Sequence, residues 1–274
     1  AGFATPIRTA RATPVRDLQQ LLEMPALQAS DLDLDAGARV ALDQAVFAAP
    51  LPRPRRNLMC VGKNYHAHAQ EFTRSGFDSS ARNASEAIPE HPIVFTKFPE
   101  TVIATGEDIV CPRPHADSLD YEAEIAVVIG TGGQGIAQAD AMRHVGGYAL
   151  ANDVTSRDMQ GRHKQWFLGK SLDTFCPLGP WITTADELDG AAIDLRCWVN
   201  GELRQSANTR DLIFNIPVLI ATLSAAITLL PGDVILTGTP AGVGIGFTPP
   251  RFLKSGDEVR IEATGLGTLV NRVR

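Results

Sequence analysis

The segment Asp120-Tyr121-Glu122-Ala123-Glu124-Ile125-Ala126-Val127-Val128-Ile129-Gly130 runs two carboxylates into what reads as a core β-strand. Ile125, Val127 and Ile129 alternate, and the tail of the segment is apolar, so the strand is expected to run into a core. Glu122 and Glu124 are two residues apart, which on a strand sends their side chains out of the same face, adjacent to each other. Like charges held side by side repel, and burying either one alone is expensive. A hard divalent cation resolves both problems and calls for oxygen ligands of this kind. A frayed strand end with both acids in solvent resolves them equally well, and the fragment by itself does not choose.

At 274 residues the chain is long enough for one large domain, or a large domain with a small appendage, around a substantial core. Its 24 glycines and 18 prolines favour turns and short strands over long helices. The net charge of -6, with no basic block, argues against nucleic acid as a partner. Cys60, Cys111, Cys176 and Cys197 are widely spaced with no CxxC pair, so they read as isolated thiols rather than a disulfide framework or a zinc site. No apolar stretch reaches the roughly 20 residues that span a bilayer, and no signal-peptide pattern is present. The expectation is a soluble cytoplasmic protein with no membrane partner.

Residues 1–55 read as a small N-terminal region, with short helices over Val15–Leu22 and Ala36–Phe47 and a stiff linker at Pro50-Leu51-Pro52-Arg53-Pro54. Residues 56–274 form the main unit. Strands are expected at about 58–61, 93–96, 107–110, 123–129, 146–151, 193–199, 234–237 and 258–263, with a helix over 64–72 and a long polar connector over 73–92. Asn200-Gly201 signals a tight turn. Asn215 and Pro217 open a further helix whose apolar stripe is Leu219, Ile220, Leu223 and Ile227. The pattern is that of a mixed, β-rich α+β fold rather than regular βαβ units. Gly130-Thr131-Gly132-Gly133-Gln134-Gly135 follows a strand but lacks the dinucleotide-binding spacing.

Asp153, at the end of the short apolar strand before it, is the candidate third oxygen ligand, although a lone acid there is more often a turn cap. Two glutamates and an aspartate leave about three positions of an octahedral Mg²⁺ or Mn²⁺ ion for water or substrate. Neither Cys nor His lies in this cluster, which disfavours zinc. His68 and Glu71 share a helix face, where the carboxylate orients the imidazole as a general base for water; the plain alternative is a surface pair. The other histidines have no obvious partner. Lys170, after Gly169, is either a group for a substrate carboxylate or oxyanion, or a solvated turn lysine. Thr237-Gly238-Thr239-Pro240 is a loop whose amides and Thr239 hydroxyl can approach an anion, or simply a loop.

Taken in order, these segments resemble the fumarylacetoacetate hydrolase family over roughly residues 56–274. The matching landmarks are Asn64-Tyr65 with His68 and Glu71, Asp120-Tyr121-Glu122-Ala123-Glu124, Gly147-Tyr148 through Asn152-Asp153 to Arg157-Asp158, and Gly169-Lys170-Ser171. Pro231-Gly232-Asp233, Thr237-Gly238-Thr239-Pro240 and the closing Gly265-Leu266-Gly267-Thr268-Leu269-Val270-Asn271 complete them. The resemblance implies a β-roll of several small sheets like that family's C-terminal domain, and a homodimer. It implies Glu122, Glu124 and Asp153 as ligands of Mg²⁺ or Mn²⁺, His68, Glu71 and Lys170 as catalytic groups, and Arg157, Gln160 and Thr239 as substrate contacts. The implied substrates are 2-oxo or diketo acids, of the kind met in aromatic or sugar acid catabolism.

The leading expectation is metal-dependent hydrolysis of a carbon–carbon bond in an acylpyruvate-like or 2,4-diketo acid, releasing pyruvate and a carboxylic acid. The alternatives are decarboxylation of an oxaloacetate-like 2-oxo diacid, or isomerisation of an unsaturated one, both through the same enolate. A non-enzymatic protein holding structural calcium leaves the His–Glu pair without a purpose. Phe98-Pro99-Glu100-Thr101 and the long connector depart from the family pattern, and are expected to border the distal half of the pocket.

Overall fold

The computed structural model describes residues 3–5, 7–9, 17–24, 32–78, 80, 86–111 and 117–274. Its organising element is the strand Ala123–Ile129, every residue of which is buried. It pairs antiparallel with Val145–Asn152 on one side and with Val234–Leu236 on the other. Burial on both faces follows from its position. Ile125, Val127 and Ile129 enter the main core with Leu195, Cys197, Val259, Ile261 and Leu269. Ala126 and Val128 enter a second core with Leu51, Cys60, Ala149, Ala151 and Leu236. A strand with hydrophobic surroundings on both sides needs a near-continuous apolar sequence, which explains why the tail after Glu124 carries no polar residue.

This strand lies in a seven-stranded sheet whose order is Ile93–Lys97, Leu58–Gly62, Val234–Leu236, Ala123–Ile129, Val145–Asn152, Cys176–Thr184, Val102–Ile103. A five-stranded sheet packs against it, ordered Glu202–Asn208, Asp194–Val199, Glu258–Ala263, Gly267–Val273, Asp108–Ile109. Three pairings are parallel (Cys176 with Val102, Ile235 with Met59, Arg272 with Asp108), and the rest of these two sheets is antiparallel. Smaller two-stranded pairs complete the curled β-rich arrangement, among them Leu119–Asp120 with Thr155–Ser156. This is the mixed α+β class expected from the sequence.

Asn200-Gly201 turns the hairpin between Asp194–Val199 and Glu202–Asn208 with both residues at positive φ, 51° and 78°. Asn215 caps the helix Ile216–Ser224 by accepting from the Val218 amide. The longer strands that escaped the sequence reading are Cys176–Thr184, Glu202–Asn208 and Gly267–Val273, because Pro, Gly and polar residues break their alternation. Ile227 lies beyond that helix and is exposed, so it does not extend the apolar stripe. The helix expected over Ala36–Phe47 does not form. That stretch holds two 3₁₀ turns and the strand Val40–Ala41, which pairs with Phe3–Ala4. Its alanines carry helix propensity but no apolar stripe to dock, and packing decides helices this short. The first helix spans Leu18–Leu22, capped by Asp17; Val15 lies outside the described residues. The Pro-rich run is more than a spacer, since Leu51 is buried in the second core. All four cysteines are free thiols. Among the described residues no helix is long and apolar enough to cross a membrane.

Two short helices, Arg157–Arg162 and Phe167–Lys170, cross at Gly169. A Cβ there would lie 2.5 Å from the Gln160 nitrogen and 2.7 Å from the Ser156 carbonyl oxygen, both backbone atoms that cannot swing aside. Gly169→Ala is therefore expected to lower stability by about 1–3 kcal/mol. Urea unfolding of the variant would measure it, and an unchanged midpoint would mean the crossing is looser than described.

Candidate metal centre and its surroundings

The register of the central sheet assembles the site. Ala123 pairs with Asn152 and Glu124 with Ala151, so Asp153 arrives beside Glu122 at the same sheet end. The Asp153 amide donates to the Glu122 carbonyl at 2.8 Å, and Asn152 Oδ1 accepts from the Glu122 amide at 3.0 Å. On the other flank, Val234–Leu236 delivers Thr237-Gly238-Thr239, and the Gly238 amide donates to Glu124 Oε2 at 2.7 Å. Gly238 needs to be glycine: its φ is 98°, and a Cβ would press on Asn64 and the Val61 carbonyl. Asn64 braces the same corner by donating to the Thr237 and Phe214 carbonyls.

Glu122, Glu124 and Asp153 are all buried, and one carboxylate oxygen from each lies within 4.8 Å of the others. The solvated strand end that the sequence left open is thus not what forms. Cations surround the triad. Lys170 Nζ donates to Glu122 Oε2 at 2.6 Å and to Asp153 Oδ2 at 2.7 Å. Lys97, on the edge strand, donates to Asp153 Oδ1 at 2.6 Å and to the Val154 carbonyl. Arg157 Nη2 sits 2.6 Å from Glu122 Oε1, its Nε donates to Asp120 Oδ2, and its Nη1 donates to Gln160 Oε1. Lys170 is buried, so it is not the solvated turn lysine that the sequence left open.

The charges explain the shifts. Burial would raise the Glu122 carboxyl, but Lys170, Arg157 and His68 outweigh it and hold it down at about 2. Glu124 is less well compensated: burial and then the Asp153 and Glu122 charges push it well above its usual value, only partly offset by Lys170 and the Gly238 amide. Burial opposes the Lys170 and Arg157 charges, yet the surrounding carboxylates keep both firmly protonated. Four buried acids (Asp120, Glu122, Glu124, Asp153) face three buried cations (Lys97, Arg157, Lys170), leaving one carboxylate in surplus. An all-oxygen donor set with surplus negative charge fits a hard dication.

His68 lies on the helix His66–Arg74, and its Nδ1 is 3.3 Å from Glu71 Oε2. Glu71 also accepts from the Gly242 amide through both oxygens. A carboxylate at Nδ1 favours the tautomer with the proton on that nitrogen, leaving the Nε2 lone pair available. The pair is therefore not a solvated surface pair; His68 is buried. Thr239 Oγ1 accepts from Gln205 Nε2 at 2.7 Å, which leaves its own hydroxyl proton to donate. His68, Glu122, Glu124, Arg157, Gln160, Lys170 and Thr239 all line one cavity, closed over by Phe72, Phe95 and Trp166, with about 10 Å³ of free volume. That is roughly the space of one water.

Sequence reasoning gave no role to Lys97 or Gln205, and named Asn64 and Asp120 only as landmarks of the family pattern. Asp120 was within reach, since it has the same parity as Glu122 and Glu124. It accepts from the Gly244 and Ile245 amides and so ties Arg157 to the glycine-rich loop. Lys97 shows no local signal, because it approaches Asp153 from 56 residues away. His144, read as partnerless, contacts the Thr131 carbonyl through Nδ1. Phe98-Pro99-Glu100-Thr101 does not line the cavity; Phe98 packs edge-on against Phe167.

The family described as fumarylacetoacetate (FAA) hydrolase C-terminal matches residues 57–274. The chain belongs to this family. It is 49% identical over 237 residues to an oxaloacetate tautomerase of Bacillus subtilis, covering 85% of this chain and 74% of the relative. A fumarylacetoacetate hydrolase from Exiguobacterium antarcticum superposes with a TM-score of 0.81 at 37% identity, covering 95% of this chain and 88% of that one. A maleylpyruvate hydrolase from a Sphingobium species, solved with manganese(II) and pyruvate, gives a TM-score of 0.69 at 36% identity over 86% of this chain and 76% of its own.

Metal removal gives a pH test. The raised Glu124 carboxyl binds a proton in the folded state that the unfolded chain has already released near 4.5, so metal-free stability falls as pH rises from there through the folded value. Glu122 has the opposite sign: its contribution is present above 4.5 and is lost as pH falls through about 2. Metal-free Glu124→Gln is expected to lose less thermal stability than wild type on going from about pH 5 to about pH 8, and to gain less stability than wild type on addition of Mn²⁺. Identical pH slopes for the two proteins would remove Glu124 from this account.

Proposed function

We propose that the chain is a divalent-metal-dependent enol–keto tautomerase of an oxaloacetate-like 2-oxo diacid, with Mg²⁺ or Mn²⁺ held by Glu122, Glu124 and Asp153. The observation that carries this reading is the 49% identity to an oxaloacetate tautomerase over 85% of the chain. C–C hydrolysis, the leading expectation from the sequence alone, therefore becomes the second reading. A bound dication would supply Lewis acidity that stabilises negative charge on the 2-oxo oxygen and neutralises the surplus carboxylate.

The protein's own groups account for the rest. Ketonisation moves a proton from the enol oxygen at C2 to carbon C3, with no net change in charge. His68 in its protonated form gives a proton to C3, and its imidazole regains one from the enol hydroxyl. Glu71 stabilises the imidazolium through Nδ1. Thr239 donates its hydroxyl proton to the substrate's 2-oxo-adjacent carboxylate. Lys170, Lys97 and Arg157 hold the ligand carboxylates in place, since their polar contacts go to Glu122, Asp153 and Asp120. Breaking a buried pair of this kind costs about 3–5 kcal/mol.

Hydrolysis of an acylpyruvate is favoured by the likeness to a maleylpyruvate hydrolase. Assaying enol-oxaloacetate ketonisation, acylpyruvate cleavage and oxaloacetate decarboxylation side by side with Mn²⁺ separates the readings. Ketonisation is expected to dominate, and His68→Asn to slow it by about 10²–10⁴-fold while leaving Mn²⁺ affinity unchanged. Wild-type protein that leaves the decay of the enol absorbance at its buffer rate would sink the tautomerase reading.

A further inference from the structure

Four basic side chains line the cavity, Lys63, His68, Arg157 and Lys170. Three are committed to the machinery already described: His68 to Glu71, Arg157 to Asp120 and Glu122, Lys170 to Glu122 and Asp153. Lys63 is different. Its Nζ donates to Asp78 Oδ2 at 2.8 Å and to Ser80 Oγ at 3.4 Å, and both Lys63 and Asp78 side chains are almost wholly buried. Asp78 does not line the cavity and belongs to none of the carboxylates around the metal centre. Lys63 is thus the cavity cation whose acidic partner can be exchanged without stranding a metal ligand.

Two further observations support an exchange. Lys63 holds a φ of 56°, a left-handed conformation costing a non-glycine residue about 1–3 kcal/mol, and such strain persists where the surroundings fix a side chain for a purpose. Asp78 has other donors: the Thr73 hydroxyl at 2.6 Å, and the Ser80 amide and hydroxyl at 2.8 and 2.6 Å. Burial would raise its carboxyl, but the bonds from Lys63, Ser80 and Thr73 outweigh that and keep it below the usual range. Releasing Lys63 therefore leaves Asp78 still hydrogen-bonded. An unpaired buried ammonium, by contrast, is costly, so Lys63 requires an anion in either state.

We infer that Lys63 selects diacids: its ammonium takes the substrate carboxylate distal to the 2-oxo group, and Asp78 occupies it when that carboxylate is absent. The inference rests on the diacid substrate proposed above. A tail with a carboxylate replaces Asp78 charge for charge, whereas an apolar tail offers Lys63 nothing and leaves the pair closed. Asp78 belongs to the 73–92 connector that the sequence pointed to as a border of the distal pocket; none of its described residues lines the cavity, and 79 and 81–85 lie outside the described residues.

Titration of 2-oxoglutarate and 2-oxopentanoate into the Mn²⁺-loaded protein compares chains of equal length with and without the distal carboxylate. Wild type is expected to prefer the diacid at least tenfold. Lys63→Met is expected to abolish that preference and raise KM for enol-oxaloacetate about tenfold or more with little change in kcat. Lys63→Arg should keep the preference, and Asp78→Asn should strengthen diacid binding by removing the competitor. Lys63→Met that retains the preference, or weakens both ligands equally while lowering Tm, would overturn the inference by making the pair purely structural. Should Lys63→Met fail to fold, unchanged diacid affinity in Asp78→Asn overturns it instead. Absence of enol turnover with an intact, Lys63-dependent diacid preference would count against the proposed reaction and not against Lys63.

Discussion

Everything at this site depends on how a protein interior tolerates adjacent carboxylates. Asp120, Glu122, Glu124 and Asp153 are buried at one sheet end, where any unbalanced charge would be expelled or protonated. The protein answers with ammonium and guanidinium groups drawn from three separate parts of the chain. Lys97 comes from an edge strand, Arg157 from one short helix and Lys170 from the next. Lys170 bridges Glu122 and Asp153, and so fixes two of the three triad members relative to each other. Only Glu124 is left without a cation of its own, and it is the carboxyl whose proton affinity rises most clearly. The residual negative charge fits the triad to a hard dication better than to a closed ionic network.

The fold supplies this arrangement through close backbone approach. Gly169 lets two helices cross so that Lys170 reaches the triad, and Gly238 lets its amide meet Glu124. Asp120 holds the glycine-rich loop through the Gly244 and Ile245 amides, and Gly242 in that same loop donates to Glu71. The metal centre and the His68–Glu71 pair are therefore one mechanical unit. A disturbance of Asp120 reaches the His68–Glu71 pair as well as Arg157.

In the function proposed above, the triad, the His–Glu pair and the Thr239 hydroxyl serve a reaction that passes through an enolate beside a carboxylate. Hydrolase, decarboxylase and tautomerase differ in what is added to or lost from that enolate, not in how it is stabilised. The triad by itself therefore does not select the reaction, and the inference drawn for Lys63 and Asp78 places substrate selectivity away from it.

By itself the sequence determined the parts governed by short-range rules. The alternation of Ile125, Val127 and Ile129 gave the central strand, the two-residue spacing placed Glu122 and Glu124 on one face, and helical spacing put His68 beside Glu71. The Asn200-Gly201 turn and the Asn215 cap were legible for the same reason. Ala36–Phe47 was misread because helix propensity without a surface to pack on decides little. Tertiary structure alone decided that the two glutamates are buried, that Asp153 lies opposite Glu122, and that Lys97 and Lys63 find Asp153 and Asp78. Those contacts depend on strand register and on approach from distant segments, and Coulomb interactions between residues far apart in the chain leave no local pattern to read.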